Sequence, residues 1–312
     1  MTFPYLNETE ELTDAVRSTA GGSFIPLSDG VCHYELNSPL QMYSFAKHPV
    51  RVGEGAGVGS VVLIHGFSVP YFIWDPTFEF LVKSGFRVLR YDLFGRGLSD
   101  RPRVRYSIHL FVRQLRDLLD ALGIAEPVHL VGLSMGGAIS AAFVDQYPER
   151  VKSHILIDPA GAKPIPLSWA LKAAQLPFVG ELALGLFGGE GLVKGLASDF
   201  FSPDLIEQFQ VNYQVQMRYK GFIRAILSSI RNGMLDTFYE TYQRVGKLKK
   251  PTLLFWGRND TTVPFENSRE ILSAIPHAEF HPIENCGHIP HYEKPGEVNP
   301  ILSEFILHNS EL

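Results

Sequence analysis

Between residues 60 and 157, short β-branched and aliphatic runs alternate with longer segments of helical period, and this alternation constrains the fold more than any other feature of the chain. The runs are Ser60 to Ile64, Phe86 to Tyr91, Val128 to Val131 and Ser153 to Ile157. Strands spaced this widely are joined by crossovers, not hairpins, which predicts a parallel sheet with helices on its faces. One crossover carries Phe111, Leu115, Leu118, Leu119 and Leu122 on one face and Arg113, Arg116 and Asp117 on the other, with Gly123 marking its end. The strand pattern resumes at Pro251 to Trp256 and Glu279 to Ile283, each followed by an apolar helical segment. Upstream, Ser23 to Leu27 and Val31 to Leu36 flank Asp29-Gly30, the signature of a β-hairpin.

From about Gly161 to Gly246 the alternation stops. This stretch is helical in pattern, punctuated by glycine and rich in large apolar residues: Trp169, Phe178, Phe187, Phe200, Phe201, Phe209, Tyr213, Met217, Phe222, Met234 and Phe238. It reads as an inserted helical cap over residues 162–246, dividing a core of residues 1–161 and 247–312. These aromatic residues either pack the cap's own helices or reach the mouth of a pocket as an apolar lining. A chain of 312 residues is long enough to bury its core without staples.

Composition narrows the classes further. With 45% hydrophobic residues, 20% charged residues and a net charge of −5, the chain reads as globular and mildly acidic. Its one basic cluster, Lys247, Lys249 and Lys250, reads as a solvated turn, so no nucleic-acid partner is expected. Cys32 and Cys286 match no zinc spacing and read as two free thiols of a reducing compartment, with a single bridge between them as the alternative. The first 22 residues lack a basic region followed by an apolar one, which argues against a secretory signal and makes the cytoplasm the expected location. The most apolar stretch, Ser168 to Ala197, is broken by Lys172, Glu181, Glu190 and Lys194 and is a poor transmembrane span, although a peripheral contact of the cap with lipid stays open.

The chemistry is concentrated at Gly132-Leu133-Ser134-Met135-Gly136, between an apolar strand and a helix starting near Met135. A sharp strand-to-helix turn exposes the central serine in a strained conformation, and small flanking residues avoid collision with neighbouring elements. The Met135 N–H then sits at a helix N-terminus, where unpaired donors and the dipole favour a developing oxyanion. A serine here could also merely cap the helix. As a nucleophile it needs an imidazole, and the imidazole needs a carboxylate. His288, in Glu284-Asn285-Cys286-Gly287-His288 after an apolar strand, is the preferred base, and His291 the runner-up. Asp260, closing Phe255-Trp256-Gly257-Arg258-Asn259-Asp260, is the preferred acid, and Asp158 the alternative.

Several landmarks recur together: His65-Gly66-Phe67, Asp92-Leu93-Phe94-Gly95-Arg96-Gly97-Leu98-Ser99, and Gly132-Leu133-Ser134-Met135-Gly136-Gly137. On these the chain resembles the α/β-hydrolase superfamily over nearly its whole length. The resemblance implies an α/β fold with an N-terminal hairpin, a mostly parallel central sheet, helices on both faces and an inserted helical cap. It implies the catalytic order Ser134, Asp260, His288, with the backbone N–H groups of Phe67 and Met135 as the oxyanion hole. His65 then orders its loop and is not a base, while Asp92 and Asp100 hold the glycine-rich turn through local hydrogen bonds.

A serine in place of the carboxylate used by epoxide hydrolases and haloalkane dehalogenases argues against those chemistries. The sequences around His65, Asp158 and His288 are similar to those of monoacylglycerol-lipase-like members. The leading expectation is therefore hydrolysis of carboxylic esters with an apolar acyl chain, through an acyl-enzyme, without cofactor or metal. The alternative is a carbon–carbon bond hydrolase of ring-fission products, whose members carry a glycine-rich sequence where this chain has Phe67-Ser68-Val69-Pro70. A slow hydrolase-fold ligand receptor, acyl transfer and perhydrolysis use the same residues. The base is expected to titrate near the free-imidazole value of about 6.5.

Overall fold

The computed structural model describes residues 8–37, 59–165, 175–176, 179–183 and 189–310. Trp169, Lys172, Phe178 and Phe187 lie outside them. Asp29-Gly30 turns the chain between β1 (Ser23–Leu27) and β2 (Gly30–Asn37), which pair antiparallel as the hairpin signature predicts. The other strands are β3 (Val61–Ile64), β4 (Val88–Tyr91), β5 (Val128–Leu133), β6 (Val151–Ile157), β7 (Thr252–Gly257) and β8 (Glu279–Ile283). They form one eight-stranded sheet in the order β1-β2-β4-β3-β5-β6-β7-β8, parallel from β4 to β8.

Every residue of β3, β4, β5 and β7 is buried, as expected of parallel strands covered on both faces. Alternation along the strands splits their side chains between two cores. Val62, Ile64, Leu130, Leu156 and Leu254 face one layer of helices: α3 (Ile108–Ala121), α4 (Met135–Gln146), α9 (Tyr239–Leu248) and α10 (Ser268–Ala274). Val61, Leu63, Val131, Ile155, Leu253 and Phe255 face the other, which holds α2 (Asp75–Lys83) and α12 (Pro295–His308). The α3 stripe is buried at Phe111, Leu115, Leu118 and Leu119, and Gly123 follows its end with φ +64. Short α1 (Asp14–Thr19) and α11 (Pro290–Glu293) complete the core.

Between β6 and β7 the described residues are helical: α5 (Val179–Ala183), α6 (Gly189–Gly195), α7 (Ile206–Met217), α8 (Phe222–Arg231) and α9. Phe209, Tyr213, Phe222 and Met234 are buried, whereas Phe201 is 49% exposed. Phe209 meets Phe72, Phe200 and Tyr292 edge-on with ring centroids 5.0–5.2 Å apart, so these residues pack the segment onto the core. No described helix is long and apolar enough to cross a membrane. Both cysteines are free and buried.

The strand order reverses at β3: the chain moves to one side for β4 and to the other for β5. In open parallel sheets a ligand crevice forms beyond the carboxyl ends of the strands at such a switch point. His65-Gly66-Phe67 and Ser134 leave the sheet on either side of this one.

Candidate active site

Ser134 adopts φ 53° and ψ −120°, a conformation that L-residues rarely take. Three backbone bonds hold it there. Its N–H donates to Ile157 O at 2.9 Å, and its carbonyl accepts from the N–H groups of Gly137 and Ala160, each at 2.9 Å. The flanking glycines are required by close backbone approach. A Cβ on Gly132 would collide with Gly136 O and lie 2.6 Å from Ser140 Oγ; one on Gly136 would collide with Ile64 O and lie 2.6 Å from His65 O. Ser134 makes no side-chain capping bond to α4, so the helix-cap reading gives way to a strained elbow at the strand end. Met135 is the first residue of α4, where a backbone N–H has no intrahelical acceptor.

The facing loop is ordered by His65, which is fully buried. Its Nε2 accepts from Leu93 N–H at 2.9 Å, so the proton sits on Nδ1, which donates to Gly66 O at 2.9 Å. This bond fixes the Gly66–Phe67 peptide plane and with it the direction of the Phe67 N–H. Burial lowers the His65 pKa to about 4, leaving the ring neutral and unsuited to act as a base at neutral pH. Gly66 lies against Ser134: a Cβ there would be 3.3 Å from Ser134 Cβ and 3.7 Å from Ser134 Oγ. Arg96, fully buried, donates from Nε to Phe67 O at 2.8 Å and from Nη2 to Ser229 Oγ of α8 at 2.8 Å, tying this loop to the inserted segment. Asp92 reaches beyond its own turn, accepting from Leu98 N–H and Tyr71 N–H and pairing with His33 Nδ1 at 2.7 Å. Asp100 likewise accepts from Val31 N–H at 2.7 Å and pairs with Arg17.

His288 Nδ1 and Asp260 Oδ2 are 2.7 Å apart and buried. Asp260 Oδ1 accepts from the N–H groups of Thr262 and Val263, each at 2.8 Å, which holds the carboxylate plane. Gly287 is required by the close approach of the inserted segment. A Cβ there would collide with Asp199 O of the inserted segment, and the left-handed residue of the loop is Asn285 at φ 50°. His288 N–H donates to that same Asp199 O at 2.8 Å, and Thr262 Oγ1 donates to Asp199 Oδ1 at 2.7 Å. Burial pushes the His288 pKa down, but Asp260 and then Asp199 pull it up, leaving it above the ordinary 6.5. His291 is buried against Trp74 with ring centroids 4.3 Å apart, and burial lowers its pKa to about 3.

The structure thus joins Asp260 to His288 and sets Ser134 against the loop of Phe67, all beyond the carboxyl ends of β3, β5, β7 and β8. Among the described residues Ser134 Oγ makes no hydrogen bond, so the serine–imidazole contact is not closed in this structure. Asp158, the alternative acid, lies beside the pair: ligand atoms of Asp158, Asp260 and His288 fall within 4.8 Å of one another. His288 Nδ1 is committed to Asp260 and Asp158 Oδ1 to Gly257 N–H, so this trio reads as a proton-holding group and not as a cation cage. Sequence reasoning missed Asp199, Arg96 and Glu293. Glu293 accepts from Gly287 N–H at 2.7 Å and from Phe201 and Ser202 N–H at 2.9 and 3.0 Å, fastening the base loop to the inserted segment. Arg96 lies within the landmark that runs from Asp92 to Ser99, though its contacts could not be read from it; Asp199 and Glu293 carry no local sequence signal, because each acts on a partner brought close by folding.

Comparison with known proteins agrees with this geometry. The family model described as "Alpha/beta hydrolase family" matches residues 61–301. The chain is 29% identical over 279 residues to a 2-hydroxy-6-oxo-6-phenylhexa-2,4-dienoate hydrolase of Comamonas testosteroni, covering 86% of this chain and 94% of the relative. It is 30% identical over 264 residues to a 2-hydroxy-6-oxononadienedioate/2-hydroxy-6-oxononatrienedioate hydrolase of Dechloromonas aromatica, covering 81% and 89%. Among solved structures, a meta-cleavage product hydrolase from Pseudomonas fluorescens superposes with a TM-score of 0.70 at 26% identity, over 92% of this chain and 98% of that one.

Proposed function

Because the chain belongs to the alpha/beta hydrolase family, we propose that it is a serine hydrolase that cleaves a carbon–carbon bond next to a ketone in a 2-hydroxy-6-oxo-dienoate type of ring-fission product. The observation that carries this reading is the identity of about 30% with hydrolases of that named activity over more than four-fifths of the chain. It places the alternative reading of the sequence ahead of the ester reading.

In this mechanism Ser134 Oγ attacks the ketone carbon while His288 takes its proton. The Phe67 and Met135 N–H groups receive the oxyanion, each such donor being worth about 10²–10³ in kcat. The carbon–carbon bond then breaks. The substrate reacts as its 2-oxo tautomer, the 2-hydroxyl proton having moved to the carbon beside the ketone, so the released electron pair spreads through the fragment as a dienolate and His288 returns its proton to the 2-oxygen. Water, deprotonated by His288, attacks the acyl-Ser134 ester and releases the acid. Asp260 holds the imidazole tautomer and stabilises the imidazolium throughout.

A second reading, hydrolysis of carboxylic esters, is favoured by one feature, Phe67-Ser68-Val69-Pro70 in place of a glycine-rich loop. One experiment separates the two: following loss of 2-hydroxy-6-oxo-6-phenylhexa-2,4-dienoate absorbance beside a series of nitrophenyl esters, in the wild type and in Ser134→Ala. The expected result is turnover of the dienoate at a kcat/KM at least about tenfold above any ester, lost in Ser134→Ala. Ester turnover with no consumption of dienoate would overturn the first reading. Activity retained in Ser134→Ala would overturn both.

A further inference from the structure

Asp158 is fully buried at the end of β6, in a left-handed backbone conformation with φ 41° that is unfavourable for an L-residue other than glycine. Its Oδ1 accepts from Gly257 N–H at 2.9 Å, whereas its Oδ2 is buried and accepts no hydrogen bond among the described residues. Asp260, next to it, is served by three N–H donors, from Thr262, Val263 and His288. The other titratable groups around it are Cys286 and His288 of the loop after β8, Glu293 of α11 and Asp199 of the inserted segment, with the Lys294 charge acting on Cys286. Among the described residues the charges acting most on Asp158 itself are Asp260 and Glu293, not a Lys or Arg. Two ionised carboxyls cannot share so dry a space, so one of them keeps its proton. Asp260, with three donors, is the one suited to be the anion. Asp158, with one donor and one orphaned oxygen, is the one suited to be the acid.

We propose that Asp158 is held as a neutral carboxylic acid whose Oδ2–H donates to Asp260, making it a positioning residue for the acid–base pair. The proposal rests on the reading of Asp260 and His288 as acid and base. The added donor makes Asp260 a weaker acceptor for the imidazole proton, which stays on Nδ1, and it adds a further restraint on the carboxylate plane. It places no second negative charge beside His288. Burial, with Asp260 as the next largest influence, raises the Asp158 pKa well above the ordinary 3.8, in agreement with this arrangement.

The test compares Asp158→Ala, which removes the donor, with Asp158→Asn, whose amide can still donate to Asp260 and accept from Gly257 N–H. Loss of positioning in Asp158→Ala should lower kcat about ten- to a hundredfold, with rescue by Asp158→Asn to within about threefold of wild type. The acid limb of kcat/KM in Asp158→Asn should stay within about 0.3 pH units of wild type, because no charge has been removed. Two further readouts need no turnover. A protonated-carboxyl infrared band should be present at neutral pH in the wild type and absent in Asp158→Asn. Only the wild type releases this proton on unfolding, because unfolding lets Asp158 ionise above pH 3.8. Its unfolding equilibrium constant should therefore rise relative to that of Asp158→Asn by up to about tenfold per pH unit, the ratio levelling off near pH 3. The proposal is overturned if the band is missing, if the stability gap does not widen with pH, or if the acid limb of Asp158→Asn falls by about one pH unit, as removal of an anion would require. Absence of dienoate turnover with the band and the widening gap intact would count against the proposed activity and leave the neutral acid standing.

Discussion

Replacing His65 by asparagine and by glutamine separates its two hydrogen bonds. The ring donates from Nδ1 to Gly66 O and accepts at Nε2 from Leu93 N–H, both at 2.9 Å and fully buried. An asparagine amide nitrogen falls near the place of Nδ1; the end of a glutamine side chain falls near that of Nε2. His65→Asn therefore keeps the Gly66 bond and orphans the Leu93 N–H, which should destabilise the fold by about 1–3 kcal/mol while leaving kcat within about tenfold. His65→Gln keeps an acceptor for Leu93 but releases the Gly66–Phe67 peptide. Full loss of one oxyanion donor is worth about 2.7–4 kcal/mol, or about 10²–10³ in kcat. Partial rotation of the plane should still lower kcat by about tenfold or more, with KM little changed, because the donor acts on charge that exists only in the transition state. Steady-state kinetics on the turned-over substrate, with urea unfolding midpoints for both variants, measure the two effects separately. A folded His65→Gln enzyme with kcat within about threefold of wild type would refute the assignment of this imidazole to the oxyanion loop.

Two other outcomes follow from the buried groups and the elbow. Burial holds His65 and His129 at about 4 and His154 and His291 at about 3, all below their unfolded value near 6.5, so the unfolded chain binds more protons as pH falls. The stability these rings contribute is complete above pH 6.5 and is lost toward pH 4 at up to about 1.4 kcal/mol per histidine per pH unit. His33 and His288, with raised values, contribute stability that is complete below 6.5 and do not oppose the loss. Asp158, Asp199, Asp75 and Glu8, all raised by burial, take up protons first in the folded chain and offset part of this loss as pH falls. Thermal unfolding of Asp158→Asn, which lacks one of these offsetting groups, should show a fall in Tm from pH 7 to 4.5; a flat profile would contradict neutral burial of the four rings. Gly132→Ala, with its Cβ forced onto Gly136 O, should destabilise by about 1–3 kcal/mol or more, whereas Gly191→Ala, where nothing lies within 4 Å, should not. An unchanged urea midpoint in Gly132→Ala would show that the elbow is not as close-packed as the structure has it.

Features set by short-range sterics and periodicity were legible in the residues alone. The hairpin at Asp29-Gly30, the strand–helix alternation and the buried stripe of α3 are all written within a few residues of where they appear. The serine elbow was legible for the same reason, since the backbone approach that demands Gly132 comes from Gly136, four residues away. Asp260 was preferred to Asp158 as the acid, but both follow strands and local grounds left Asp158 open; the approach of His288 Nδ1 to Asp260, across 28 residues, separates them. The roles of Asp199, Arg96 and Glu293 were silent because their partners lie on other elements. The aromatic residues of the inserted segment looked equally suited to a pocket or a core, and packing decided for the core at Phe209, Tyr213 and Phe222. Local sequence carries conformational preference, but the pairing of charges and protons depends on distances that exist only once the sheet has assembled.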